Sequence, residues 1–387
     1  MRILHTADWH IGRTLEGRSR MAEHTTFLEE LELIIQEEKA DVLLIAGDVF
    51  DSVNPPADAE SLFYETMARI SSRFDIPVAV IAGNHDHPER LEAPRRLAKA
   101  QNIHILGYPG REPLHIPVNH DILQLAALPY PSEARMKTLF SRDPQETKIR
   151  QAYQKKVREL FDAMTSSFQP GHVRIGMSHV FAAGGTESDS ERPIEVGGAY
   201  TLSSDAFPAG VQYTALGHLH RPQHIHHPDY PVRYAGSPLA FSFSEAGHQK
   251  SVTMVDVKAD DSYADVREIP LQSGSPLVQW KAEYGMDQVK SWISEKKDQD
   301  AWVELHLHLE DSPSMEDIQL IRRNHPGIVH IYPVFPKNRG KAAAEHKKSL
   351  PIDALFQKFY EKQTGGASPD EELVQLFMEL IEKGDED

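Results

Sequence analysis

The stretch PVAVIAGNHD, residues 77–86, sets an apolar β-rich run directly against a glycine and three polar residues. A short run rich in valine and isoleucine, stopped by Gly83, reads as a buried strand that ends in a loop. Upstream, VLLIAGDVFD at 42–51 repeats the pattern, with Gly47 and Asp48 at its end. Residues 2–6, RILHT, form a third such run and lead into ADWHIG. Between these runs lie helical stripes, one through Phe27, Leu28, Leu31, Ile34 and Ile35 and another over 57–74. Strands alternating with helices predict an α/β fold, and ligands in such sheets sit past the carboxyl ends of the strands.

Farther along, VRIGMSHVF (173–181) and VQYTALGHLH (211–220) add two strands that end in histidine. PVRYAGSPLAFSFSE and KSVTMVDV are expected to be antiparallel strands completing a two-sheet core over about 1–270. A basic helical insert is expected at about 135–168. Within it, residues 135–158 carry eight Lys or Arg against Asp143 and Glu146. From 275 to 335 the pattern changes to a small α+β capping module. A linker (336–349) and two amphipathic stretches (350–387) follow, the second opened by the capping box Ser368-Pro369-Asp370-Glu371. Isolated short helices are marginal in water, so this tail is expected to dock on a partner.

The 387 residues are 40% hydrophobic, enough for a sizeable core. No apolar run is long enough to span a bilayer, so no membrane association is expected. The chain opens on MRILHTAD, with no basic segment leading into an apolar one, so no export signal is expected. The absence of cysteine rules out disulfides and thiolate metal sites; a cytoplasmic protein is the expectation. A net charge of −17 argues against nucleic-acid binding by bulk charge, though not by a local basic surface. Arg13, Arg18 and Arg20, after the first loop, are candidates for such contacts, as is the insert.

Five strand ends present metal-ligand chemistry: Asp8 and His10; Asp48; Asn84 beside His85; His179; His218 and His220. Gly47, Gly83 and Gly217 precede three of them, where backbone must bend or approach a ligand. Any one piece fits an ordinary polar turn; five in one chain, each at a strand end, point to a metal site. Carboxylate, amide oxygen and imidazole suit Mn²⁺, Fe²⁺ or Zn²⁺ better than Ca²⁺. His306 and His308 on a later strand, and His224, His226 and His227, are read as exposed or supporting residues.

The motifs DWH, GDVFD, GNHD, SH and GHLH resemble the signature of the calcineurin-like metallophosphoesterases. Longer stretches (MRILHTADWHIGR, AGDVFDSVNPP, YTALGHLHRPQ, VRYAGSPLAFSFSE) resemble a bacterial branch of nuclease subunits along most of 1–255. The resemblance implies a two-sheet sandwich flanked by helices and two divalent ions, Mn²⁺ first among them. One ion would be held by Asp8, His10, Asp48 and His220, the other by Asp48, Asn84, His179 and His218, with Asp48 shared. Ions ~3.5–4 Å apart need a common carboxylate to offset their repulsion. His85 would be the catalytic residue, protonating the leaving 3′ oxygen, with Asp86 orienting or charging it. The activity implied is 3′→5′ double-strand exonuclease and single-strand or hairpin endonuclease. It would serve DNA end processing, repair and recombination, as a homodimer in a heterotetramer with an SbcC-type ATPase. Archaeal and eukaryotic members carry histidine at the position of Asp51, so a role for that histidine does not transfer. Competing readings are a stand-alone phosphatase or cyclic-nucleotide phosphodiesterase, and a non-catalytic scaffold with a folding metal.

Overall fold

The structure, a computed structural model, describes residues 1–136, 146–191, 200–310 and 312–335, with 356–357, 360, 369 and 373–375 of the tail. The expected linker, nearly all of the tail and part of the basic insert lie outside these residues. The chain divides into two compact units. The first holds Met1–Gln279, Asp298–Glu304 and Gly327–His330; the second holds Trp280–Lys297 and Leu305–Pro326, with residues from Ile331 onward.

Two six-stranded sheets build the first unit. In one, Arg2–Thr6, Val42–Ile45, Val78–Ile81 and Ile103–Leu106 run parallel. Ser251–Asp256 and then Asp265–Pro270 add antiparallel strands at its other edge. The second sheet has Asp121–Leu128, Val173–His179, Tyr213–Gly217 and Val232–Tyr234 in parallel array, with antiparallel Leu114–Val118 and Gln223–Ile225 at the edges.

The alternation of side chains along each strand explains the layers. Ile3, Val42, Leu44, Ala79 and Ile81 point inward to meet Leu123, Leu125, Val173, Ile175 and Met177 of the other sheet. Their neighbours Leu4, Leu43, Ile45, Val78 and Val80 point outward to Phe27, Leu31, Phe63 and Met67, which lie on the helices Met21–Glu38 and Ala57–Phe74. On the far side, Ala126, Leu128, Leu216 and Tyr234 meet Tyr153, Val157, Phe161 and Met164 from the helix Glu146–Thr165. The architecture is therefore α/β/β/α.

Two expectations change here. Val232–Tyr234 runs parallel to Tyr213–Gly217, and only its outer neighbour is antiparallel. AFSFSE is no strand: Phe243–Glu245 is a 3-10 turn, with Ser242 Oγ accepting from Ser244 N–H and Glu245 Oε1 from Phe241 N–H.

The second unit contains the helices Met286–Ser294 and Met315–Asn324. Trp280 is its buried anchor, edge-on to Trp292 at 5.2 Å and to His325 at 5.2 Å. Lys297 Nζ lies 4.0 Å from the Trp292 ring centre. Among the described residues, no helix is long and apolar enough to cross a membrane.

Candidate metal centre

All five sequence-predicted strand ends meet at one edge of the two sheets. The loop after the first strand lies along the loop after the second: Asp8 N–H donates to Gly47 O at 3.0 Å and His10 N–H to Asp48 O at 3.0 Å. To fit this path the backbone turns left-handed at Asp8, His10 and Asp48, with φ of 55°, 45° and 49°. Asp and His enter that region more readily than most side chains, at a cost of ~1–3 kcal/mol each. Gly47, at φ 93°, sits where a Cβ would lie 2.4 Å from His179 Nδ1. Gly83 packs against Asp48 so closely that a Cβ would meet its Oδ1 at 2.1 Å and its amide nitrogen at 2.3 Å.

Asp48 Oδ2 lies between two imidazoles, 3.6 Å from His10 Nε2 and 3.4 Å from His179 Nε2. On the His10 side stands His220, the two Nε2 atoms 3.1 Å apart. On the His179 side Asn84 Oδ1 is 2.8 Å from His179 Nε2 and 3.2 Å from His218 Nδ1. Asp8 Oδ1 accepts from His218 N–H at 2.9 Å. The groups Asp8–His10–His220 and Asp8–Asp48–His179 each bring their ligand atoms within 4.8 Å of one another. A third cluster within that limit, His10–Asp51–His85, adjoins them.

The donors suit divalent cations. Asp8 Oδ2 and His218 Nε2 are buried without a hydrogen-bond partner. Burial keeps His10, His218 and His220 below the usual histidine range, His220 at about 3. Neutral imidazole is the form that donates a lone pair to a metal. Burial, reinforced by the Asp48 charge, pushes Asp8 well above the usual carboxylate range. At His179 burial opposes charge, but Asp48 and Asp8 outweigh it and hold the ring at about 9. The carboxylates thus call for positive charge at their centre.

Residues 1–222 match the calcineurin-like phosphoesterase family. The SbcD component of the SbcCD nuclease from Bacillus subtilis is 51% identical to the chain over 98% of its length and 97% of its own. The chain belongs to the SbcD family of calcineurin-like phosphoesterases. The Rhodobacter capsulatus SbcD is 36% identical over 73% of this chain and 72% of its own. The Staphylococcus epidermidis one is 27% identical over 94% of each.

In this SbcD family member, some expected roles shift once side chains are placed. Asp86 does not touch the His85 ring. Its carboxylate accepts from the backbone N–H groups of Gly83, Val49 and Phe50, at 2.8, 3.2 and 2.9 Å, and so ties the GNHD and GDVFD loops together. Burial, then the Asp48 charge, raises Asp86 to about 6. The partner of His85 is instead the backbone carbonyl of Asp51, 2.8 Å from Nδ1.

Arg20 is buried, paired with Glu23 and donating to Ala240 O at 2.8 Å, so it is unavailable to a ligand. Arg135 also turns inward, donating to Gly83 O at 2.7 Å and Asp86 O at 2.6 Å. Arg13 stays beside the site, over the Phe241 ring and 3.6 Å from Asp51 Oδ1. Arg18 is exposed, and Lys155 and Arg158 lie on the outer face of their helix. Residues that sequence reasoning missed support His220: Ser190, Glu191, Glu245 and Lys250. None follows a strand end or shares a motif with a ligand.

Proposed function

We propose that the protein is a metal-dependent DNA nuclease subunit hydrolysing phosphodiester bonds, with Mn²⁺ as its ion. The observation that carries this reading is the position of Asp48 Oδ2 between His10 and His179, with a further set of donors on each side. Asp8, His10, Asp48 and His220 would hold one ion; Asp48, Asn84, His179 and His218 the other. Bound there, the pair supplies Lewis-acid charge to a phosphate and lowers the pKa of attacking water.

His85 supplies the proton. Its Nδ1–H donates to a carbonyl that can only accept, which leaves Nε2 to carry the transferable proton when the ring is cationic. Protonating the leaving 3′ oxygen in this way is worth ~10²–10⁴-fold. Phe241, its ring centre 5.3 Å from that of His10 and 5.5 Å from that of His220, walls the site with apolar surface.

The substrates proposed are double-stranded DNA, digested 3′→5′, and single-stranded or hairpin DNA, cut internally. The partner is an SbcC-type ATPase, with two copies of this chain in a heterotetramer and residues beyond about 345 docking on the ATPase. Similarity to SbcD proteins along almost the whole chain supports this reading.

The test is hydrolysis of linear duplex DNA and of bis-nitrophenyl phosphate, each with and without Mn²⁺, alone and with the ATPase. Mn²⁺-dependent cutting of both substrates is expected. Cleavage of the small ester alone would favour a phosphatase or cyclic-nucleotide phosphodiesterase. No turnover of either substrate would leave only a structural metal.

A further inference from the structure

His220 is gripped at three points by residues outside the ligand set. Its backbone N–H donates to Glu191 Oε1 at 2.8 Å, and its carbonyl accepts from Lys250 Nζ at 2.9 Å. Its ring Nδ1 faces Ser190 Oγ within hydrogen-bond distance. Ser190 Oγ also lies 2.6 Å from Glu245 Oε1. A hydroxyl has one proton to give, and a carboxylate can only accept. Ser188 Oγ, 2.9 Å away, is a more distant and neutral alternative whose own proton has the Glu191 carboxylate at 2.6 Å. The Ser190 proton therefore goes to Glu245, and the Ser190 lone pair receives Nδ1–H of His220. That assignment fixes the tautomer and leaves the lone pair of Nε2 facing His10 and the site. Lys250, buried and paired with the other oxygen of Glu245, keeps the carboxylate charged, and it also donates to Ser237 Oγ at 2.9 Å. Ser190, Glu245 and Lys250 are each less than 10% exposed, so water does not screen this chain of contacts.

The other side of the site is supported differently. His179 Nδ1 faces the backbone carbonyl of Ala46 at 2.9 Å, a support that no side-chain change removes. We propose that Ser190 and Glu245 are positioning residues that hold His220 in the metal-binding tautomer. They tune one of the two cations, the one shared with Asp8 and His10, and leave the other alone. This rests on the two-ion reading given above. Hydrogen-bonded partners behind a metal-binding histidine typically change metal affinity ~10–100-fold.

The experiment is Mn²⁺ titration of the full-length chelator-stripped protein by calorimetry, with metal content measured after desalting. Wild type should bind two ions. Ser190→Ala should bind one of them ~10–100-fold more weakly and the other unchanged, with the melting temperature of the metal-free protein preserved. Ser190→Thr, which keeps the hydroxyl, should restore the second ion. Glu245→Gln should match Ser190→Ala, and the double variant should be no worse than either. If Glu245→Gln strands Lys250 and fails to fold, Ser190→Ala and its threonine rescue decide the matter. Two ions bound at wild-type affinity by Ser190→Ala, or equal weakening of both, would overturn the proposal. A wild-type protein that binds no Mn²⁺ would instead sink the two-ion reading beneath it.

Discussion

Replacing Gly83 with alanine adds one methyl group and alters no ligand, yet it should disable the site. The new Cβ would stand 2.1 Å from Asp48 Oδ1, 2.3 Å from Asp48 N and 2.7 Å from Asp48 Cγ. Carbon contacts settle at ~3.5 Å or more, so the two loops must part by about 1 Å. Neither has room to yield easily. Gly83 N–H is bonded to Asp86, Asp48 Oδ1 accepts from His85 N–H at 2.8 Å, and Asp48 O accepts from His10 N–H. Overpacking of this kind costs ~1–3 kcal/mol of stability. A shift of ~1 Å among catalytic groups costs ~10²-fold in rate. Because Asp48 stands between both halves of the site, affinity for both ions should fall together. The assay is bis-nitrophenyl phosphate turnover at saturating Mn²⁺, with metal content and melting temperature measured alongside. Gly110→Ala is the control, since a Cβ there meets nothing within 4 Å. Wild-type turnover with two bound ions in Gly83→Ala would refute the claim that this contact sets the position of Asp48.

Further outcomes follow from other residues. His85→Ala should keep its metal while losing ~10²–10⁴-fold in turnover, whereas Asp48→Ala should lose both ions; equal metal loss in the two variants would end the division of roles. Reversing Lys155, Lys156 and Arg158 to glutamate should weaken DNA binding and flatten its salt dependence by ~0.9 per lost phosphate contact. Turnover of the small ester should stay constant, and an unchanged salt slope would make the helix face merely solvated. His5, buried against Tyr213 at 2.8 Å, is held at about 3, first by burial and then by Arg233. Its folded value lies below the unfolded 6.5, so its stabilisation is present above 6.5 and is lost as pH falls toward 3. By pH 5 the unfolded chain has gained ~2 kcal/mol on this account. In urea melts the stability of wild type relative to His5→Phe should therefore fall by about that amount between pH 7 and pH 5; a constant difference would show that His5 is not held neutral.

The strand ends were legible because each combines an apolar run, a turn and a polar residue within a few positions. Val78–Ile81 followed by Gly83 and Asn84 is such a case. Those signals are local, and so is the stripe that defines Ala57–Phe74. What escaped is the direction of side chains within a loop. Asp86 adjoins His85 in sequence, yet its carboxylate reaches back to three backbone amides. Charge alone also misled: Arg20 and Arg135 read as surface cations, but each finds a backbone carbonyl to satisfy it indoors. AFSFSE alternates as a strand does, and Glu245 turns it instead into a capped bend with a buried carboxylate. The support of His220 joins residues 190, 220, 245 and 250, which no fixed spacing could link.

The gathering of ligands from two sheets also bears on when during its own synthesis the protein becomes dangerous to a phosphodiester. Asp8 and the His218 amide that it accepts from are 210 residues apart. Contacts of such separation close late, after the loop between them has been ordered. A nascent chain that has made only the four parallel strands of the first sheet, Arg2–Thr6 to Ile103–Leu106, owns Asp8, His10, Asp48 and Asn84 but neither histidine of GHLH. It has half a cage: the left-handed turns at Asp8 and His10 are already tied to Gly47 O and Asp48 O, but the donors of the second sheet are missing. Hydrolytic capacity therefore arrives in one step, when the strand Tyr213–Gly217 docks, and incomplete chains are born unarmed.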